Sequence, residues 1–117
     1  MSGEPERGSV VRVRFDSSEG SEVRKTRPAV VVSNNAACRF DVVVQVIPVT
    51  RLPERQLRPY ESLVSSEKSG LARPSRLVTN QVRTISKRRV SRVLGRISEE
   101  EERALNQALR IQLALSD

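Results

Sequence analysis

The chain has 117 residues, with 21 Lys and Arg against 14 Asp and Glu and a formal net charge of +7. That length holds one modest core, so residues 1–117 are read as a single module; with no Trp, one Tyr and two Phe, its core falls to Val, Leu, Ile and Ala. There is no His and a single Cys, Cys38, which excludes a histidine general base, a zinc site of the usual Cys/His kind and a disulfide within one chain.

Eighteen of the basic residues are Arg, the side chain best suited to bidentate phosphate contact, so a polyanionic partner is the first expectation. Residues 1–9 carry no apolar stretch, and no later run approaches the roughly 20 apolar residues of a membrane span. The reading is a cytoplasmic protein with no membrane partner.

Residues 10–15 alternate, with Val11, Val13 and Phe15 on one side and Arg12 and Arg14 on the other, which predicts a strand with one wet face. A polar, glycine-containing loop follows from Asp16 to Thr26. Arg27-Pro28-Ala29-Val30-Val31-Val32 then reads as a central strand covered on both faces: Pro28 drives Arg27 toward extended geometry, and the valine run lacks polar alternation. Asn34-Asn35 ends it. Asn35 to Phe40 is expected to be a short connection before a second valine-rich strand, Asp41 to Pro48, with Thr50 at its end. Antiparallel pairing of these two strands would bring Thr50 close to Arg27.

Residues 51–76 are irregular, with Leu57 to Val64 as a weaker strand and Ser69-Gly70 as a turn. Leu77 to Ile85 returns to alternation, which predicts one strand with Thr79, Gln81 and Arg83 sharing a face. A basic stretch over Ser86 to Arg92 leads into a short strand, Val93 to Ile97. Ser98-Glu99-Glu100-Glu101 is a capping box opening a helix over residues 98–115, whose stripe of Leu105, Ala108, Leu109 and Leu113 packs on the sheet or on a second copy of the chain. The order of elements implies a small twisted antiparallel sheet or a partly open barrel closed by one helix.

Six blocks, in order, resemble a known family. They are Arg7-Gly8; Phe15-Asp16 with Gly20-Ser21-Glu22; Arg27 to Ser33; Val46-Ile47-Pro48-Val49-Thr50; Gln81-Val82-Arg83-Thr84-Ile85; and Gly95-Arg96-Ile97 with the closing helix. Together they resemble the MazF/PemK-type toxins, ribosome-independent messenger RNA interferases of bacterial toxin–antitoxin pairs. The resemblance implies a mainly β (α+β) fold, a small SH3-like antiparallel barrel with a C-terminal helix. It further implies a homodimer that binds single-stranded RNA along its groove, and a cognate antitoxin whose disordered tail occupies the same groove.

By the same resemblance the essential arginine is Arg27 and the essential threonine Thr50. The loop serine and glutamate are Ser21 and Glu22, and the late glutamine is Gln81. Many relatives carry Asp before that glutamine; here it is Asn80, which cannot take a proton at neutral pH. The aromatic residue common in strand one is replaced by Val11 or Arg12. The expected chemistry is attack of a ribose 2′-hydroxyl on the adjacent phosphate, with Arg27 and Thr50 stabilising the transition state, Glu22 as base, and Ser21, Asn80, Gln81 and Arg83 holding RNA. No metal or cofactor is expected. Two other readings stand beside it: a non-catalytic nucleic-acid-binding module of the same fold, and a gyrase-poisoning relative. The latter branch carries a tryptophan near its C-terminal end, whereas this chain ends Ala114-Leu115-Ser116-Asp117.

Overall fold

A computed structural model describes residues 4–15 and 26–116. Its strands are β1 (Ser9–Arg14), β2 (Thr26–Val31), β3 (Val43–Arg51), β4 (Glu61–Val64), β5 (Ser75–Val78), β6 (Arg83–Ser86) and β7 (Val90–Arg96). Two α-helices join them, α1 (Asn35–Phe40) and α2 (Glu99–Leu113). Every strand pair is antiparallel, in the order β4-β5-β3-β2-β1-β7, with β6 added to β3. The expected barrel-like antiparallel sheet with its C-terminal helix is the architecture found.

Register explains the double covering of the valine run. Val10, Val30 and Ile47 form one cross-strand row and enter a core with Val64, Leu77, Ile97 and Leu105 of α2. The intervening residues Val11, Val13, Ala29, Val31, Val44 and Val46 point to a second core with Cys38 and Ile85. Consecutive residues of β2 therefore bury on opposite sides, each valine contributing roughly 1.5–3 kcal/mol of burial. Two residues beyond Val10 on the same strand face, Arg12 emerges opposite Pro28 at the open end of the sheet.

Several expectations are corrected. Asn35 to Phe40 is a helix, because the Asn34 side chain accepts a hydrogen bond from the Ala37 amide (2.8 Å) and so caps it. The strand expected over Leu57 to Val64 shrinks to Glu61–Val64, since Pro59 has no ladder donor and the Arg58 amide turns instead to the Glu61 carboxylate (2.8 Å). Leu77 to Ile85 is two strands. Three steps along β3, from Val49 to Val46, match six along the partner, Leu77 to Arg83, and the surplus residues form a 3₁₀ turn, Thr79–Gln81. The turn breaks the period-2 phase, so Thr79 is fully buried, its hydroxyl donating to the Tyr60 carbonyl (2.7 Å), while Gln81 and Arg83 are exposed.

The capping box at Ser98 forms, and Glu101 does more than cap: one carboxylate oxygen accepts the Ser98 amide and the other accepts the amides of Ser65 and Ser66 (2.7 and 3.1 Å). This docks α2 on the end of β4. Leu105 and Ala108 are buried and Leu109 half-buried, but Leu113 is exposed with Ile111 and Leu115, so the stripe meets the sheet only along its first turns. Immediately after Ser66 a 3₁₀ turn, Glu67–Ser69, lies directly on β7. A Cβ on Gly95 would stand 2.2 Å from the Lys68 carbonyl oxygen, and one on Gly70 (φ +77) 2.3 Å from that of Leu94, so only glycines permit this approach.

Candidate functional site

Arg27 sits on β2 just before the buried part of the strand, opposite Val13 of β1. Pro28 excludes helical geometry for it, and the exposed side chain reaches across to β3, where Nη2 donates to the Val49 carbonyl at 3.2 Å. The next residue of β3 is Thr50, half-buried and paired with Arg76 of β5. The structure thus brings Arg27 and Thr50 to one place, as antiparallel pairing predicts. Beside them Arg12, Thr26, Arg27 and Pro28 form one wall of a groove of about 290 Å³, and Gly70, Leu71, Ala72 and Leu94 form the other. The glycine-dependent contact between the Glu67–Ser69 turn and β7 is what places the second wall.

A buried charge network underlies the end of β3. Glu61, its side chain only 1% exposed, forms ion pairs with Arg55 (2.9 Å) and Arg76 and accepts the Arg58 amide. Hydrogen bonding from Arg55 foremost, then from the Arg58 amide and the charges of Arg76 and Arg55, outweighs desolvation and holds the Glu61 carboxyl at about 2. Arg76 also donates through Nε to the Arg51 carbonyl (3.1 Å), so the network clamps the residue that follows Thr50. Glu61 stays ionised across the neutral range and cannot shuttle a proton there. Nothing in the irregular run 51–76 distinguishes this glutamate from a solvated one, because it is the pairing of β4 with β5 that brings Arg76 to it.

The other expected site residues are spread along β3 and its partners. Asn80 and Gln81 are exposed on the 3₁₀ turn, where the Gln81 amide donates to Asn80 Oδ1 (3.1 Å). Arg83 opens β6, and its guanidinium lies 4.8 Å from the centre of the Phe15 ring, a cation–π contact at the end of β1. Ser21 and Glu22 lie outside the described residues. Burial pushes the Cys38 thiol up, and it faces the Ser33 carbonyl, so it is no nucleophile at neutral pH.

Arg7 is the residue whose structural weight its sequence position conceals. Its guanidinium bonds the Val32 carbonyl and the Asn106 side chain (2.5 Å) and pairs with Glu102 (3.3 Å), while its amide donates to Asn35 Oδ1 (2.8 Å). One arginine thereby joins the end of β2, α1 and α2. Its partner residues are far away in the chain, and only the Arg7-Gly8 block marked it.

The family model describing PemK-like, MazF-like toxins of type II toxin–antitoxin systems matches residues 6–113. The chain belongs to this family. Among MazF/PemK relatives, Endoribonuclease MazF9 of Mycobacterium tuberculosis is 35% identical over 114 residues, which cover 93% of this chain and 96% of that protein. Endoribonuclease EndoA of Bacillus subtilis is 29% identical over 111 residues, covering 95% and 96%. A solved structure described as an endoribonuclease in complex with its cognate antitoxin, from a mycobacterial species, superposes with a TM-score of 0.77 at 25% identity, covering 97% of this chain and 98% of that one. The groove lined by Arg27 is thus set in a MazF/PemK fold. Among the described residues, no helix is long and apolar enough to cross a membrane.

Proposed function

We propose that this MazF/PemK chain is an endoribonuclease toxin that cuts single-stranded RNA by intramolecular transfer. The 2′-oxygen of the ribose 5′ to the cut attacks the adjacent phosphorus, the bond from phosphorus to the 5′-oxygen breaks, and the products carry a 2′,3′-cyclic phosphate and a 5′-hydroxyl. The observation that carries this reading is the Arg27 guanidinium held on the Val49 carbonyl, one residue before Thr50, beside an open groove. A permanently charged guanidinium and a hydroxyl donor next to each other suit a phosphorane-like transition state, whose extra negative charge develops on the non-bridging oxygens. The substrate supplies the nucleophile, so the protein needs only to position, stabilise and move protons.

Glu22 is the base in this scheme, and Ser21, Asn80, Gln81 and Arg83 hold the RNA. Among the described residues, Glu61 pairs with Arg76, the residue opposite Thr50, and its low pKa leaves it a structural role. Composition and geometry support independence from metal: with no His and a buried Cys38 the soft and borderline ligands are lacking, and among the described residues no three acidic or sulfur ligands are grouped to hold an ion. The family and the antitoxin complex of the mycobacterial neighbour support a cognate antitoxin as partner and a cytoplasmic place of action. The exposed Ile111, Leu113 and Leu115 at the end of α2 are apolar surface that a homodimer would cover. We treat residues 1–117 as one catalytic module.

The test is end mapping on a long natural RNA, followed by an oligonucleotide spanning a mapped site. Replacing the single ribose 5′ to the cut with deoxyribose should abolish cleavage there and barely change binding, while excess chelator should leave the rate unaltered. Normal cutting of the deoxy oligonucleotide, or activity lost in chelator and restored by magnesium, would overturn the mechanism. Asn80, standing where many relatives have Asp, favours the second reading of a non-catalytic RNA-binding module. RNA that is bound but never cut would establish it.

A further inference from the structure

Arg12 of β1 and Arg92 of β7 stand directly opposite each other, and both are exposed. Cross-strand partners on one sheet face lie about 5 Å apart at Cβ, where like charges repel. Among the described residues, neither guanidinium is paired with a carboxylate. Two like charges are thus held on neighbouring strands with no carboxylate to neutralise them among the described residues.

The local backbone is built around this pair. Arg12 pairs with Arg92 but the next residue, Val13, pairs with Val90, so Ser91 is the extra residue of a β-bulge, and its hydroxyl donates to the Arg12 carbonyl (3.3 Å). Bulges add twist and re-aim neighbouring side chains. Arg12 also has Pro28 opposite it on β2 and lines the groove together with Arg27. Arg12 and Arg92 share the Val10–Val30 face of the sheet, whereas Arg27, opposite Val13, starts from the other face, and Arg12 and Arg27 come together only as lining of the groove.

We infer that Arg12 and Arg92 form a phosphate-binding pair that holds the RNA backbone where it leaves the cleavage groove across β1 and β7. The inference rests on the reading of Arg27 as the group at the scissile phosphate. Two planar guanidiniums on one face match phosphate oxygens bidentately, and the track is continuous with the groove. An acidic peptide would satisfy the charge but has no use for a pair that opens onto the groove lined by Arg27, so RNA is the occupant the geometry favours.

The experiment measures binding of a single-stranded RNA oligonucleotide, 2′-O-methylated throughout so that it cannot be cut, over a range of salt. The parent is compared with Arg12→Gln, Arg92→Gln, the double variant, and Arg110→Gln on the exposed face of α2. Each pair variant should weaken binding about fivefold near 0.1 M salt and flatten the slope of log affinity against log salt by about 0.7, with the double variant weaker by about 25-fold and flatter by about 1.4, and Arg110→Gln matching the parent. Without RNA, relief of repulsion should leave the double variant with a melting temperature equal to or above that of the parent. Unchanged slopes in folded variants would overturn the pair while leaving the RNA reading intact. A parent that binds no RNA would remove both. Loss of poly-glutamate binding with RNA binding unchanged would make the site one for acidic peptide and overturn the inference as well.

Discussion

The Arg27 guanidinium donates to the carbonyl of Val49 at 3.2 Å, which couples the charge at the mouth of β2 to the residue immediately before Thr50 on β3. The contact uses one N–H of five, and the side chain remains exposed. Arg27→Ala should therefore leave the fold intact, within about 0.5 kcal/mol as for other surface changes, yet slow RNA cleavage on the order of 10²-fold or more. Single-turnover rates beside a thermal melt check both halves. A folded variant within a few-fold of the parent rate would make Arg27 structural.

Thr50 tests the other half of the pair. Thr50→Val keeps the shape of a half-buried β-branched side chain and removes only the hydroxyl, so the cleavage rate should fall about tenfold or more, whereas Thr50→Ser should restore most of it. Comparable rates for the Val and Ser variants would show that the hydroxyl makes no contact in the transition state.

The Glu61 network makes stability depend on acid. Its carboxyl is lowered from an ordinary 4.5 to about 2 in the folded chain, so the stabilisation it provides is complete above about 4.5 and disappears as pH falls through about 2. Glu61→Gln should cost about 2 kcal/mol at pH 7, by loss of charge-assisted hydrogen bonds to Arg55 and Arg76. Urea titrations of parent and variant at pH 7, 4.5 and 3 should show the gap constant between the first two and narrower at the third. A gap that stays the same at pH 3 would mean Glu61 is not the titrating group.

Gly95 and Gly8 separate two kinds of glycine. Gly95→Ala drives a methyl to 2.2 Å from the Lys68 carbonyl and 2.6 Å from the Ser69 carbonyl carbon, both main chain, and should destabilise by about 3 kcal/mol or more. At Gly8 (φ +92) the nearest atom is the tip of the flexible Arg96 side chain at 3.1 Å, so Gly8→Ala should cost only the strain of a left-handed backbone, about 1–2 kcal/mol. Thermal melts of the two variants in parallel would show the order. Equal losses would mean that the turn on β7 can move away.

By itself, the sequence determined those features whose cause is local. The alternation at Val11 to Phe15, the unbroken valines after Pro28 and the Ser98–Glu101 box each encode an element through spacing or capping among near neighbours, and each element is present. The nearness of Arg27 and Thr50 was legible too, because it follows from antiparallel pairing of two recognisable strands. What depends on partners distant in the chain was decided only by tertiary structure. The break at Thr79–Gln81 arises because β3 pairs β5 and β6 in registers three residues apart, a mismatch that alternation within Leu77 to Ile85 cannot reveal. Arg76 reaches Glu61 through the pairing of β4 with β5, and Arg12 lies opposite Arg92 across a pairing 80 positions apart in the chain, beside a bulge at Ser91. Periodicity reports which face of an element is apolar. It carries no information about which charged group another element will place opposite, and in this protein those encounters shape the groove.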